Sequence, residues 1–282
     1  MKIYTKILSL FLCFVLVFVC ASCSENNSEY PVVINEVSIN SAPSKVASLS
    51  DSANSVIKYF GYDDRLVLGE FGTPLNVNTK NIIDAKVSLL ITPSELASGT
   101  KKELTKNGVE VVTVSLPETY EQLKEYYKTI GSIMGGNKTG MNVAKDVISD
   151  IDESLNNINK FLDKKETFSY VFFYEEGYAA NSNSFVNDML SRCGGVNKVK
   201  EQNALSLEEL KELNPSTIIV PQEMKQLLLD NKDLSELSAV KNNKIIEIDV
   251  NAFNDMGIDF INCLYEILEN QYPDFLKGKT QE

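Results

Sequence analysis

No histidine occurs anywhere in the chain, and arginine occurs only at Arg65 and Arg192. Without histidine there is no Ser–His or Cys–His nucleophile, no His-ligated zinc site and no metalloprotease helix. The Gly-x-x-x-x-Gly-Lys-Ser/Thr phosphate loop and the Gly-x-Ser-x-Gly elbow are also missing. A Ser–Lys or two-carboxylate enzyme survives these exclusions, but no local signature supports one. Cation is scarce overall: 39 Asp and Glu face 27 Lys and Arg, for a net charge of −12. Binding to nucleic acid requires clustered Lys and Arg, so a chain this acidic is not built for it. Electrostatic adhesion to anionic lipid is disfavoured for the same reason.

Long apolar runs are equally rare, and the one present is at the start. Lys2 and Lys6 precede an uncharged stretch from Ile7 to Val19. That stretch falls short of the roughly 20 residues a spanning helix needs and has the length of a signal h-region. It exits through Cys20-Ala21-Ser22-Cys23. Two small residues before a cysteine resemble the bacterial lipobox, in which the cysteine thiol receives diacylglycerol and becomes the new N-terminus. Cys20 stands where leucine is usual. The expectation is a signal peptide over residues 1–22, lipidation at Cys23 and a tether over residues 23–43, with Ser24 to Glu29 as its polar part. An ordinary secreted signal or an uncleaved anchor remains the alternative. Of five cysteines, Cys13 and Cys20 leave with the leader. Cys193 and Cys263 are then expected as buried free thiols, with one disulfide between them the alternative.

From Ser44 onward short apolar strands alternate with amphipathic helices, an α/β layer pattern. The order helix, turn, apolar strand, proline occurs twice: Asn81 to Pro93, and again Glu209 to Pro221. Repetition at about 130 residues suggests two similar lobes. Between them Val143, Val147, Ile151, Leu155 and Ile158 form one apolar stripe on a long helix. The resulting division is an N-terminal α/β lobe over residues 44–138, a backbone helix over 139–165 and a C-terminal α/β lobe over 166–282.

Several blocks are more specific. Lys45-Val46-Ala47-Ser48-Leu49-Ser50, Phe60-Gly61-Tyr62-Asp63-Asp64-Arg65-Leu66-Val67, and Ser184-Phe185-Val186-Asn187-Asp188 through Cys193-Gly194-Gly195-Val196-Asn197 lie in one order along the chain. They are joined by Leu205-Ser206-Leu207-Glu208-Glu209-Leu210 and Ala239-Val240-Lys241-Asn242-Asn243-Lys244. Together these resemble the cobalamin and ferric-siderophore substrate-binding proteins of ABC importers, over nearly the whole mature chain. The resemblance implies two α/β lobes joined by a backbone helix and a ligand cleft between them. It implies no catalysis and no resident cofactor. The expected partners are a small-molecule ligand, an ABC permease dimer with its ATPase, and the membrane through the N-terminal lipid. The expected location is the outer face of the bacterial cytoplasmic membrane.

Ligands of open α/β sheets bind at the C-terminal ends of strands. On that basis the expected cleft residues are Asp51, Phe71, Ser94, Tyr174, Tyr178, Met224, Phe253 and Asn254. Phe71, Tyr174, Tyr178 and Phe253 would offer flat apolar faces to a chelate or ring. A highly anionic tri-catecholate fits poorly, because neither arginine falls on an expected cleft loop. Haem would have only Tyr or Met224 as axial candidates. A neutral or cationic hydroxamate chelate, or a corrinoid, suits the charge better. The family resemblance also implies a glutamate on each lobe for permease docking. Glu208 stands at that place in the second lobe. In the first lobe Lys80 replaces it, with Asp84 four residues on as the substitute. The alternative function is a lipid-anchored orphan receptor or scaffold of the same fold without a transport role.

Overall fold

The structure, a computed structural model, describes residues 28–201 and 204–275. The leader and Cys23 lie outside the described residues, so the lipidation expectation is not addressed by it. The described chain opens on a hairpin, β1 (Val32–Ile34) with β2 (Val37–Ile39), paired antiparallel. This hairpin falls within the tether expected over residues 23–43. Val32 and Ile39 are instead buried in the main core.

The first lobe follows as β3 (Val46–Ser48), α1 (Asp51–Tyr59), a small hairpin of β4 (Gly72–Thr73) and β5 (Asn76–Val77), α2 (Thr79–Asp84), β6 (Leu89–Thr92), α3 (Ser98–Lys106) and β7 (Glu110–Thr113). Its sheet has the parallel order β3-β6-β7. All four residues of β6 are buried, as expected of a central parallel strand covered on both faces.

Two long helices come next. The first is α4 (Tyr120–Gly135), capped by Thr119, whose side chain accepts from the Gln122 N–H. A π-turn, Gly136–Gly140, leads into α5 (Met141–Leu162). Gly131 and Gly140 press backbone against backbone where the helices meet, leaving no space for a Cβ on either. Ala144, Val147, Ile148, Ile151, Leu155 and Ile158 form the buried stripe of α5, at the three- and four-residue spacing that keeps one helical face inward.

The second lobe runs β8 (Phe168–Glu175), β9 (Tyr178–Ala179), α6 (Phe185–Arg192), β10 (Gly195–Asn197), α7 (Leu207–Leu213), β11 (Thr217–Val220), α8 (Met224–Asp230), α9 (Ser238–Lys241), β12 (Ile245–Glu247), α10 (Asn251–Asp255) and α11 (Asp259–Gln271). Its parallel order is β10-β8-β11-β12, with β9 antiparallel to β8. Strands β8-β11-β12 thus repeat β3-β6-β7. Even the helix exits match: α2 and α7 are followed by non-glycine residues with positive φ, Lys86 (57°) and Asn214 (39°).

Strand alternation sorts the side chains into three cores. Ala47, Leu90 and Val111 face an outer cluster of the first lobe, and Val171, Phe173, Ile218 and Val220 face an outer cluster of the second. Their neighbours Val46, Ile91, Val112, Tyr170, Phe172 and Ile219 all join one central cluster with α1, α4, α5 and α11. Each fully buried side chain of this kind contributes roughly 1.5–3 kcal/mol. The lobes therefore share a core along their backs. Polar bonds cross the same joint: Ser52 Oγ donates to the Asn254 carbonyl (2.6 Å), Tyr127 Oη to the Met256 carbonyl (2.6 Å), and the Tyr120 N–H to Asp188 Oδ2 (2.8 Å). Wide hinge opening would have to part this packing. Small rocking would not.

Candidate functional site

An open cleft of about 760 Å³ lies between the lobes at the C-terminal ends of their strands. Leu116 and Glu118 line it from the segment joining β7 to α4. Across from them stand Tyr174, Glu175 and Tyr178, from the β8–β9 hairpin, and Asn254 at α10. Asn181, Asn183 and Ser184 close the side ahead of α6.

The hairpin sets the aromatic geometry. Strand β8 continues to Glu175 and reverses through Glu176-Gly177, where Gly177 adopts φ 75°, a conformation few other residues tolerate. Tyr174 and Tyr178 are thereby brought to a ring-centroid distance of 5.8 Å at 39°. Beneath them Tyr174 meets Phe172 edge-on (5.3 Å), and Phe172 meets Phe253 (5.5 Å). Tyr178 is 43% exposed and presents its ring to the cleft. Burial pushes the Tyr174 hydroxyl up to about 12, against an opposing hydrogen bond with Ser184.

The polar side is rigid. Ser184 caps α6 by accepting from the Asn187 N–H, Asn181 Oδ1 accepts from the Asn183 N–H, and buried Asn197 donates to the Ala180 carbonyl. Charge is one-sided: Glu118 and Glu175 are the charged residues of the lining, with no Lys or Arg among them.

Of the eight residues expected from sequence, the structure brings Tyr174, Tyr178 and Asn254 together in this cleft. Phe71 is 6% exposed and packs in the outer core of the first lobe. Phe253 is 1% exposed, and supports the tyrosines from below instead of facing a ligand. Met224 is buried in the outer core of the second lobe, beside a groove of about 200 Å³ with Phe173 and Leu227, and does not line the cleft. Asp51 is exposed in the first turn of α1 and Ser94 in the loop after β6, and neither lines the cleft. Leu116, Glu118, Glu175, Asn181, Asn183 and Ser184 line the cleft and are not among the expected cleft residues. The segment after β7 is also the C-terminal end of a parallel strand, so the same rule applied to β7 would have found the first two.

Glu208 lies exposed in the first turn of α7, beside the Ser206–Glu209 capping box. Asp84 is bound to Lys80 at 2.6 Å within α2, both side chains being exposed. Cys193 and Cys263 are buried free thiols, which burial pushes up to about 12 and about 11.

Comparison with known proteins follows the same lines. A family model described as "Periplasmic binding protein" matches residues 45–252. An uncharacterized ABC transporter substrate-binding lipoprotein of Bacillus subtilis (strain 168), YvrC, is 24% identical over 277 residues, covering 88% of each chain. The vitamin B12 binding protein BtuF of Vibrio cholerae has a similar fold (TM-score 0.67, 16% identity, 85% of this chain and 99% of that one). So does a protein of the ABC-type Fe3+-hydroxamate transport system of Saccharomonospora viridis (TM-score 0.68, 16% identity, 86% and 99%).

Proposed function

The chain belongs to the periplasmic binding protein family, whose members are non-enzymatic solute-binding components, and from that premise we propose that it captures a neutral or cationic iron–hydroxamate chelate, or a corrinoid, for an ABC importer. The carrying observation is the chemistry of the cleft. Its lining holds two tyrosine rings, three asparagine side chains and two carboxylates, but no cation. Rings give an apolar face, and amides supply both donors and acceptors to a neutral ligand's periphery. The carboxylates repel an anionic chelate. A volume of about 760 Å³ falls in the usual range for a drug-sized ligand, which favours the compact chelate over a corrinoid projecting from the opening.

In this reading Cys23 carries the lipid that holds the protein at the outer face of the cytoplasmic membrane, and Glu208 meets a cationic surface of the permease. The first lobe contributes less charge to docking, because Lys80 answers Asp84 within its own helix. That ion pair also favours the second reading, an anchored receptor of the same fold that feeds no permease. Ligand-stimulated ATP hydrolysis by the reconstituted importer separates the two.

The test of the site is Tyr178→Ala. Removing a half-exposed ring that a ligand would cover costs about 1–2 kcal/mol, or roughly tenfold in Kd. Unchanged affinity for ferric hydroxamate and cobalamin would remove the ring from the site.

A further inference from the structure

Two sides of the cleft meet at one carboxylate. Leu116 and Glu118 line it from the first lobe, and Asn181, Asn183 and Ser184 from the second. Tyr120 begins α4 two residues after Glu118, and Asp188 lies one turn into α6 from Ser184, its N–H on the Ser184 carbonyl. Asp188 Oδ2 accepts from the Tyr120 N–H (2.8 Å) and from Arg192 Nε (3.1 Å). Of the three polar bonds across the joint described above, this one ties together two stretches that both line the cleft. In the other two, Ser52, Tyr127 and Met256 stand outside the lining.

Both partners in this bond are themselves fixed. The Tyr120 N–H is one of the donors that the first turn of a helix leaves without an intrahelical acceptor, and a carboxylate there also meets the positive end of the helix dipole. The Tyr120 hydroxyl donates to Asp152 Oδ1 (2.9 Å) and approaches the Ile148 carbonyl (3.3 Å), both on α5. The Arg192 guanidinium lies over the Tyr120 ring, 5.4 Å from its centre, while its Nε orients the Asp188 carboxylate. Ahead of the helix the Glu118 N–H donates to Gln122 Oε1 (2.7 Å), so a shift of the first turn of α4 carries Glu118 with it.

We infer that Asp188 is a positioning residue of the binding site. It does not line the cleft; by holding the start of α4 against α6 it sets the spacing of Glu118 from Asn183 and Ser184. The inference rests on the reading of this cleft as the ligand site. A hydrogen bond to an ionised acceptor is stronger than a neutral one. Without it the start of α4 samples other positions, and apparent affinity falls in proportion to the fraction of chains still in place.

The test compares four variants of the full chain. Asp188→Ala removes the acceptor, and Asp188→Asn keeps a side-chain oxygen that accepts the same N–H. Tyr120→Phe cuts the bonds to Asp152 and Ile148 but leaves the Tyr120 N–H on Asp188, so it loosens the same corner without touching the proposed contact. Arg192→Gln frees the carboxylate from the partner that orients it. Titration with ferric trihydroxamate and with cobalamin reads affinity, thermal unfolding reads stability, and hydrogen exchange over residues 116–122 without ligand reads the bond. Asp188→Ala should exchange faster there and bind the ligand that the native chain prefers about tenfold more weakly, with Asp188→Asn restored to within about threefold. Tyr120→Phe should lose stability and keep its affinity. If Asp188→Ala does not fold, Arg192→Gln carries the same test, with an expected loss of about threefold. A native chain that binds neither ligand overturns the ligand reading, and this role with it. A native chain that binds overturns the role of Asp188 alone under any of three outcomes: unchanged affinity in Asp188→Ala (or, in its place, Arg192→Gln), the same loss in Tyr120→Phe, or no recovery in Asp188→Asn.

Discussion

Replacing Glu118 and Glu175 by glutamine should change which chelates the cleft accepts. Both carboxylates line the open cleft, with no cation in the lining to neutralise them. A ferric tris-catecholate combines six phenolate oxygens with Fe3+ and carries three negative charges. At roughly 8 Å in a water-filled opening, each unit pair is worth about 0.5 kcal/mol, so two carboxylates repel this ligand by about 3 kcal/mol. At physiological salt the Debye length is about 8 Å, and the repulsion falls to about 1 kcal/mol. The double variant should therefore gain about a hundredfold in tris-catecholate affinity at low salt, and about sevenfold at physiological salt. A neutral ferric trihydroxamate should be unaffected in either buffer. Calorimetric titration at two ionic strengths reads both ligands. Equal tris-catecholate affinity for native and variant protein at low salt would refute the charge argument. A gain without salt dependence would assign the effect to shape instead.

Two further outcomes concern the joint between lobes. Tyr127→Phe removes a buried donor from the Met256 carbonyl and should lower stability by about 1–2 kcal/mol, seen as a lower urea midpoint with an unchanged slope. An unmoved midpoint would mean the bond does not stabilise the joint. Burial holds the Asp255 carboxyl above its ordinary range, and Asp249, Asp51 and Asp259 add to this against Lys58. With the folded-state pKa raised, the unfolded state loses its proton first, so this group lowers stability as pH rises through the carboxylate range. Asp255→Asn should therefore raise the melting temperature at pH 7 and lose that advantage near pH 3. An advantage that is the same at both pH values would exclude the ionisation.

Much of this architecture can be read from residue order, because burial and periodicity coincide in the central elements. Ile91 and Ile219 sit in wholly buried strands, and the α5 stripe has helical spacing, so two lobes and a strut follow from pattern alone. The strand-end rule points to Tyr174 and Tyr178, and both line the open cleft because β8 runs straight into a glycine turn. It failed for Phe71 and Phe253, where the choice between facing a ligand and supporting the core depends on packing with Ile82 or Phe172 that no local pattern encodes. The opening hairpin was hidden by its turn. Asn35 and Glu36 both have positive φ (45° and 68°), a geometry usually signalled by Asn-Gly. With glutamate in the glycine place, Val32 to Ile39 lack that signal and fall within the expected tether of residues 23–43.

The most direct measurement is titration of the native chain with ferric trihydroxamate, cobalamin, ferric tris-catecholate and haemin, followed through the quenching of its tyrosine fluorescence. Saturable quenching by the hydroxamate or cobalamin, with the tris-catecholate weaker, is the predicted result. Silence from all four, or tightest binding of the tris-catecholate, would contradict the account of what this cleft holds.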